Sequence, residues 1–209
     1  MCSLLQVANS NVRKNALHLL LDLFPLEDPE SSKEAKDTLL GTQFFLLDKL
    51  LVDNCPDIRV VAVEGCCRVL HLFWEIIPSP TIPKVLTKIF DDMSRDISNE
   101  VRLSTLNGVI YLLGNPQSHE ILKVLLPRFR HLMLDNVLSI RRAVVDLLLV
   151  IRDIQNFQFN KVSKDLKLYL ICATFGFLSC CWFLDSCAFA DLTSYAGGGV
   201  RCVTRCTCK

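Results

Sequence analysis

Four histidines and eleven cysteines are the side chains through which this 209-residue chain could hold a metal or attack an electrophile. Cys67 and His71 stand one helical turn apart and could share an ion, but no further ligand falls at a useful spacing. A packed helix pair is the simpler reading of both residues. His18, His119 and His131 fit no metal-binding helix signature, and neither a Gly-rich phosphate loop nor a nucleophile elbow occurs. Asp91 and Asp92 read as a solvated helix end rather than an acid–base pair. The chain is therefore expected to be no enzyme and to need no cofactor. What remains to act at a distance is cationic.

The arginines recur. Asn11-Val12-Arg13, Asp57-Ile58-Arg59, Glu100-Val101-Arg102 and Ser139-Ile140-Arg141 each join a polar residue and a β-branched aliphatic to an Arg. An aliphatic follows four positions after each Arg, and the arginines lie 46, 43 and 39 residues apart. This is the ~40–47-residue period of HEAT and armadillo helical hairpins. At a fixed repeat position Arg13, Arg59, Arg102 and Arg141 could form a phosphate ladder. The guanidinium fork better suits an inter-repeat bond to a carboxylate or carbonyl of the next hairpin. A second basic set, Lys84, Lys88, Lys123, Arg128, Arg130 and Arg142 with His131 and Arg152, offers a DNA backbone something to meet. Asp135, Asp146 and Asp153 lie among these cations and could reduce the set to a solvated face. The chain is close to neutral, with 23 Lys and Arg against 22 Asp and Glu, so any electrostatic footprint is local.

The elements that would position these residues are helices. Leu40, Phe44, Leu47 and Leu51 make one apolar stripe, and Cys55-Pro56-Asp57 interrupts it. A second helix carries Ile58, Val61 or Ala62, Gly65 or Cys66, Val69 and Phe73 on one face and stops near Ile77-Pro78. Helices over 82–93 and 99–113 repeat the plan, as do helices over 118–134 and 138–154, with Pro127 expected to kink the former. The first unit keeps only the end of its leading helix. The spacing predicts an all-α solenoid of about three and a half hairpins over residues 1–162. Because the array starts in mid-repeat and shows no polar cap, marginal stability or association in isolation is expected.

Longer strings carry a resemblance. Residues 9–22, Phe73-Trp74-Glu75-Ile76-Ile77-Pro78-Ser79-Pro80, Ile89-Phe90-Asp91-Asp92-Met93-Ser94, 100–108 and Gly114-Asn115-Pro116 resemble the G-type HEAT-repeat subunits of vertebrate condensin II. The resemblance runs over about residues 9–162. It implies a non-catalytic nuclear, chromosome-associated scaffold acting in mitotic chromosome condensation. The implied partners are a kleisin subunit and SMC ATPase subunits, with chromosomal DNA beside them and no small-molecule substrate. An alternative from another class is a HEAT adaptor of the transport or phosphatase-scaffold type, without DNA contact.

Residues 163–209 are a different kind of sequence. They hold seven of the eleven cysteines and neither Glu nor Pro. Leu168–Leu184 is an uncharged run of 17 residues, at the short edge of what spans a bilayer. Cys187, Cys202, Cys206 and Cys208 do not have zinc-knuckle spacing. Val162-Ser163-Lys164 can be encoded by a splice-donor-like codon series, so the tail reads as retained-intron sequence, poorly ordered and unrelated to the repeats, rather than as a membrane or metal segment.

Overall fold

The computed structural model describes residues 4–154, and the expectations for the tail at 163–209 lie outside them. Every regular element among the described residues is helical: α1 (Ser10–Asp22), α2 (Lys33–Leu50), α3 (Pro56–Phe73), α4 (Thr81–Asp91), α5 (Asn99–Leu112), α6 (His119–Leu125) and α7 (Leu138–Asp153), with 3-10 segments at Leu4–Gln6, Trp74–Ile76, Met93–Arg95, Pro116–Ser118 and Leu126–Leu134. Among these residues the fold is all-α and consistent with an α-solenoid. None of the described helices is long and apolar enough to cross a membrane.

Local chemistry sets the boundaries. The Asn9 side chain accepts from the Asn11 amide at 2.9 Å to cap α1, and Ser32 caps α2 through the Ala35 amide at 3.3 Å. Pro56 occupies the first turn of α3, where its missing N–H costs nothing. The end expected near Ile77 comes earlier: α3 stops at Phe73 and tightens into a 3-10 turn over Trp74–Ile76.

Pro127 does more than kink its helix. The α-helical pattern ends at Leu125, and Leu126–Leu134 continues as nine residues of 3-10 helix. A proline at that point removes one i→i−4 bond and crowds the preceding turn, so the chain rewinds rather than bends.

Packing follows chain order. Helices α1, α3, α5 and α7 pack successively, the α3–α5 interface being the most extensive, and α2, α4 and α6 with its 3-10 continuation lie on the first helices' side of the hairpins. The stripe Leu40, Phe44, Leu47 and Leu51 is buried. On α3 burial is wider than one face, since Val63, Cys67 and Leu70 are buried as well. The cause is its position between α1 and α5 with α2 and α4 also against it. By contrast α4 keeps Ile82, Val85, Leu86, Ile89 and Phe90 inside and Pro83, Lys84 and Thr87 outside.

Two glycines permit the close approach of the successive second helices. A Cβ on Gly65 would sit 2.3 Å from Leu21 Cδ1, and one on Gly108 would sit 2.7 Å from Cys67 Sγ. Gly65 and Gly108 each lie six residues after a ladder arginine, so the same repeat position is kept small at both interfaces. The thiols beside them are packing groups. Burial pushes Cys66 up to about 12 and moves Cys67 in the same direction.

Candidate functional site

The arginines of the series sit near the starts of α1, α3, α5 and α7, and the first three reach into the following hairpin. Arg13 donates through Nε and Nη2 to the two carboxylate oxygens of Asp53, at 2.9 and 2.8 Å. Arg59 holds Asp96 in the same bidentate way at 2.7 and 2.8 Å, and Arg102 holds Asp135 at 2.8 and 3.1 Å. The remaining Nη1 turns back to a carbonyl six residues earlier: Val7, Asp53, Asp96 and, for Arg141, Asp135. Each step thus joins one loop to the next, and the loops carrying the aspartates are also the loops the arginines read.

Sequence reasoning does not single out the aspartates as the receivers. A signal for them exists: Asp53, Asp96 and Asp135 each stand six residues before an arginine of the series, while Val7 holds that place before Arg13. Each carboxylate does a second job. Its Oδ1 accepts from the amide two residues on, Cys55 at 2.8 Å, Ser98 at 2.8 Å and Val137 at 2.9 Å. These Asx turns start α3, α5 and α7, none of which has a side-chain cap of its own. One side chain therefore shapes the turn, starts the helix and receives the previous hairpin's guanidinium.

Electrostatics favour the ionised pair. Burial pushes the Asp53 carboxyl up, but the Arg13 fork, the Cys55 amide and the charges of Arg13 and Arg59 together hold it below the usual carboxylate range. Asp135 is held low in the same way, by Arg102, the Val137 amide and the charge of Arg141 acting against burial.

A carboxyl depressed in the fold binds fewer protons there than in the unfolded chain. Its stabilisation is complete above the unfolded value near ~4 and is lost as pH falls through the lower folded value. Urea midpoints are accordingly expected to fall as pH drops from about 5 toward 3. A double Asp53→Asn, Asp135→Asn variant, which keeps both Asx acceptors, should flatten that slope. An unchanged slope would show that these carboxyls do not carry the acid sensitivity.

The second basic set divides into cations that meet a carboxylate and cations that are exposed. Lys88 donates to the Asp48 carboxylate and carbonyl, both at 3.0 Å, and so ties α4 to α2. Lys123 donates to Glu120 at 2.5 Å within α6, and Arg128 reaches Asp91 at 2.5 Å. Lys84, Arg130 and Arg142 are exposed. His131 bridges hairpins, with Nε2 3.0 Å from the Ser94 carbonyl and Nδ1 2.9 Å from the Arg128 carbonyl. Cys67 and His71 are not brought to a common ligand set. Cys67 packs toward Gly108, and the His71 ring lies 4.5 Å from that of Tyr111. No group of three metal-ligating side chains occurs among the described residues.

No family model and no solved structure matches the chain. Curated relatives do. The chain is 36% identical over 159 residues to condensin-2 complex subunit G2 of Xenopus laevis and 33% identical over 159 residues to that of Homo sapiens. It is 36% identical over 161 residues to the Danio rerio protein. The aligned stretches take in 76–77% of this chain, whereas the chain spans only 14% of the length of each relative. The match is thus one of a fragment: over about three quarters of its length, this chain is similar to a segment of condensin-2 complex subunit G2.

Proposed function

We propose that residues 1–162 are a HEAT-type scaffold segment without catalytic activity and that residues 163–209 are unrelated to it. In this reading Arg13, Arg59, Arg102 and Arg141 are the inter-repeat clamps of a solenoid serving a condensin II assembly in the nucleus. The segment supports mitotic chromosome condensation through a kleisin subunit, alongside SMC ATPases and chromosomal DNA. Two things together carry the reading: the similarity to subunit G2, and the repeated fork of Arg on the next hairpin's Asp. Stacking that is fixed hairpin by hairpin makes an extended surface suited to gripping a peptide or a duplex.

A protein-only adaptor is the second reading. It is favoured by the neutralisation of Lys88, Lys123 and Arg128 by Asp48, Glu120 and Asp91. If DNA is bound, Lys84, Arg130 and Arg142 carry it, being exposed and without an anionic partner among the described residues. Pull-down of the full chain with the complex's kleisin at low and high salt tests the first reading, and absence of capture at both would refute it. Duplex binding measured across a salt series separates the two. Replacing Lys84, Arg130 and Arg142 by Gln should lower the log–log salt slope by up to about 0.9 for each phosphate no longer neutralised. A slope that does not move, or no duplex binding at all, leaves the adaptor.

A further inference from the structure

The arginine series marks the starts of α3 and α5; the other ends of these two helices frame an open cleft of about 520 Å³. One wall is the stretch His71–Ile76 that closes α3, and the other is Gly114-Asn115-Pro116-Gln117 after α5. Phe73–Ile76 and Gly114–Pro116 lie in strings that carry the resemblance, yet the clamp uses neither. The walls are tied to each other. Asn115 Nδ2 donates to the His71 carbonyl at 3.0 Å, and Gln117 Nε2 donates to Glu75 Oε1 at 3.0 Å. Asn115 Oδ1 accepts from the Gln117 amide and so shapes the turn that makes the second wall. Gly114 approaches the His71 ring closely, since a Cβ there would sit 3.0 Å from Cε1. A cleft already held by bonds between hairpins loses little freedom when it is filled.

The electrostatics of the cleft are one-sided. Its lining holds one carboxylate, Glu75, and neither Lys nor Arg among the described residues. Glu75 is exposed, and the group it meets is the neutral Gln117 amide. Both α3 and α5 end here, and a helix C-terminus is the negative end of its dipole. His71 Nδ1 is buried without a hydrogen-bond partner, and with the proton on Nε2 it is one more acceptor. Around these polar groups Leu72, Ile76 and Tyr111 are 56%, 50% and 48% exposed, and Trp74 is half-buried in the wall. We propose that the cleft receives an arginine side chain carried by an extended segment of a partner protein. The charge selects a cation. A guanidinium is planar and weakly hydrated, so it donates to Glu75 while lying along Trp74, which a strongly hydrated ammonium does less well. Apolar neighbours of that arginine cover Leu72, Ile76 and Tyr111, surface that a free amino acid would leave bare. The inference needs neither the clamp role of the arginine series nor the condensin II reading.

The test uses the full chain and a fluorescein-labelled peptide, Ala-Ala-Leu-Arg-Leu-Ala-Ala, with Lys or Gln in place of Arg in two controls. The Arg peptide should bind, and the Trp74 indole and Gln117 side-chain amide resonances should shift as it does. Glu75→Gln removes the charge but keeps an oxygen for Gln117, so it should weaken the Arg peptide about tenfold and leave the Gln peptide unchanged. Ile76→Ser, at an exposed position, should weaken the Arg and Gln peptides alike. No binding of the Arg peptide at about 1 mM, equal binding of the Lys or Gln peptide, or indifference to Glu75→Gln would each overturn the assignment. Self-association of the unaltered chain that Glu75→Gln abolishes would seat a second copy in the cleft and overturn it as well.

Discussion

Arg59→Ala is expected to lower unfolding free energy by about 3 kcal/mol, the lower end of the ~3–5 kcal/mol that follows from stripping one partner from a buried ion pair. Three bonds go at once: the two to Asp96 and the one to the Asp53 carbonyl. The Asp96 side chain is 9% exposed, so its charge is left in place with one remaining donor, the Ser98 amide. The damage also spreads in both directions along the chain, because the lost Nη1 bond was holding the loop that receives Arg13. Arg59→Lys keeps the charge but not the fork, and should fall between wild type and Ala. Arg68→Ala is the contrast. Its pairing with Asp22 is at 3.1 Å, but the side chains are 42% and 66% exposed, and exposed pairs contribute about 0–1 kcal/mol. Urea midpoints for the three variants decide the matter. Equal losses for Arg59→Ala and Arg68→Ala would mean that the ladder is ornament rather than a clamp.

The arginines are legible in the sequence because a repeat multiplies a weak local signal. One Val-Arg or Ile-Arg pair says nothing; four at spacings near forty residues require a shared structural place. The partners are harder to see. Asp53, Asp96 and Asp135 each occur in an ordinary turn setting, and an aspartate before a helix is already explained by capping. Their second role exists only when the next hairpin stacks, which is a tertiary fact.

The helices show the same division. The stripe read on α2 marks its burial correctly, whereas α3 lies between two neighbours and is buried more widely than the single face read for it. Among the cations, residue type and spacing do not separate Lys84 from Lys88. The first faces outward, and the second is committed to Asp48 across helices. Charge on a helix becomes available surface only after the neighbouring carboxylates are placed.

Phe129→Ala is expected to cost about 3–5 kcal/mol, as for other buried aromatic truncations. Its ring is stacked on Phe90 with centroids 4.2 Å apart and planes 11° apart, and the two residues are 1% and 0% exposed. The position is unusual because the segment that carries it, Leu126–Leu134, is 3-10 helix with poorer internal hydrogen-bond geometry than an α-helix. Such a stretch cannot hold itself together. It is kept by what it buries, Leu126, Phe129 and Leu132, against its neighbours. Removing the ring leaves a void beside Phe90 and takes away a main support of the nine-residue 3-10 segment that contains Pro127.

Phe129→Leu retains most of the volume and should lose only about 1.5 kcal/mol. Hydrogen exchange gives the sharper readout. In Phe129→Ala the amides of 128–134 should lose protection before those of α5, and α7 should follow because Asp135, the receiver of Arg102, begins where the 3-10 segment ends. If instead α3 and α5 lose protection to the same extent as 128–134, the described hairpins unfold as one cooperative block and the stack is not a local anchor.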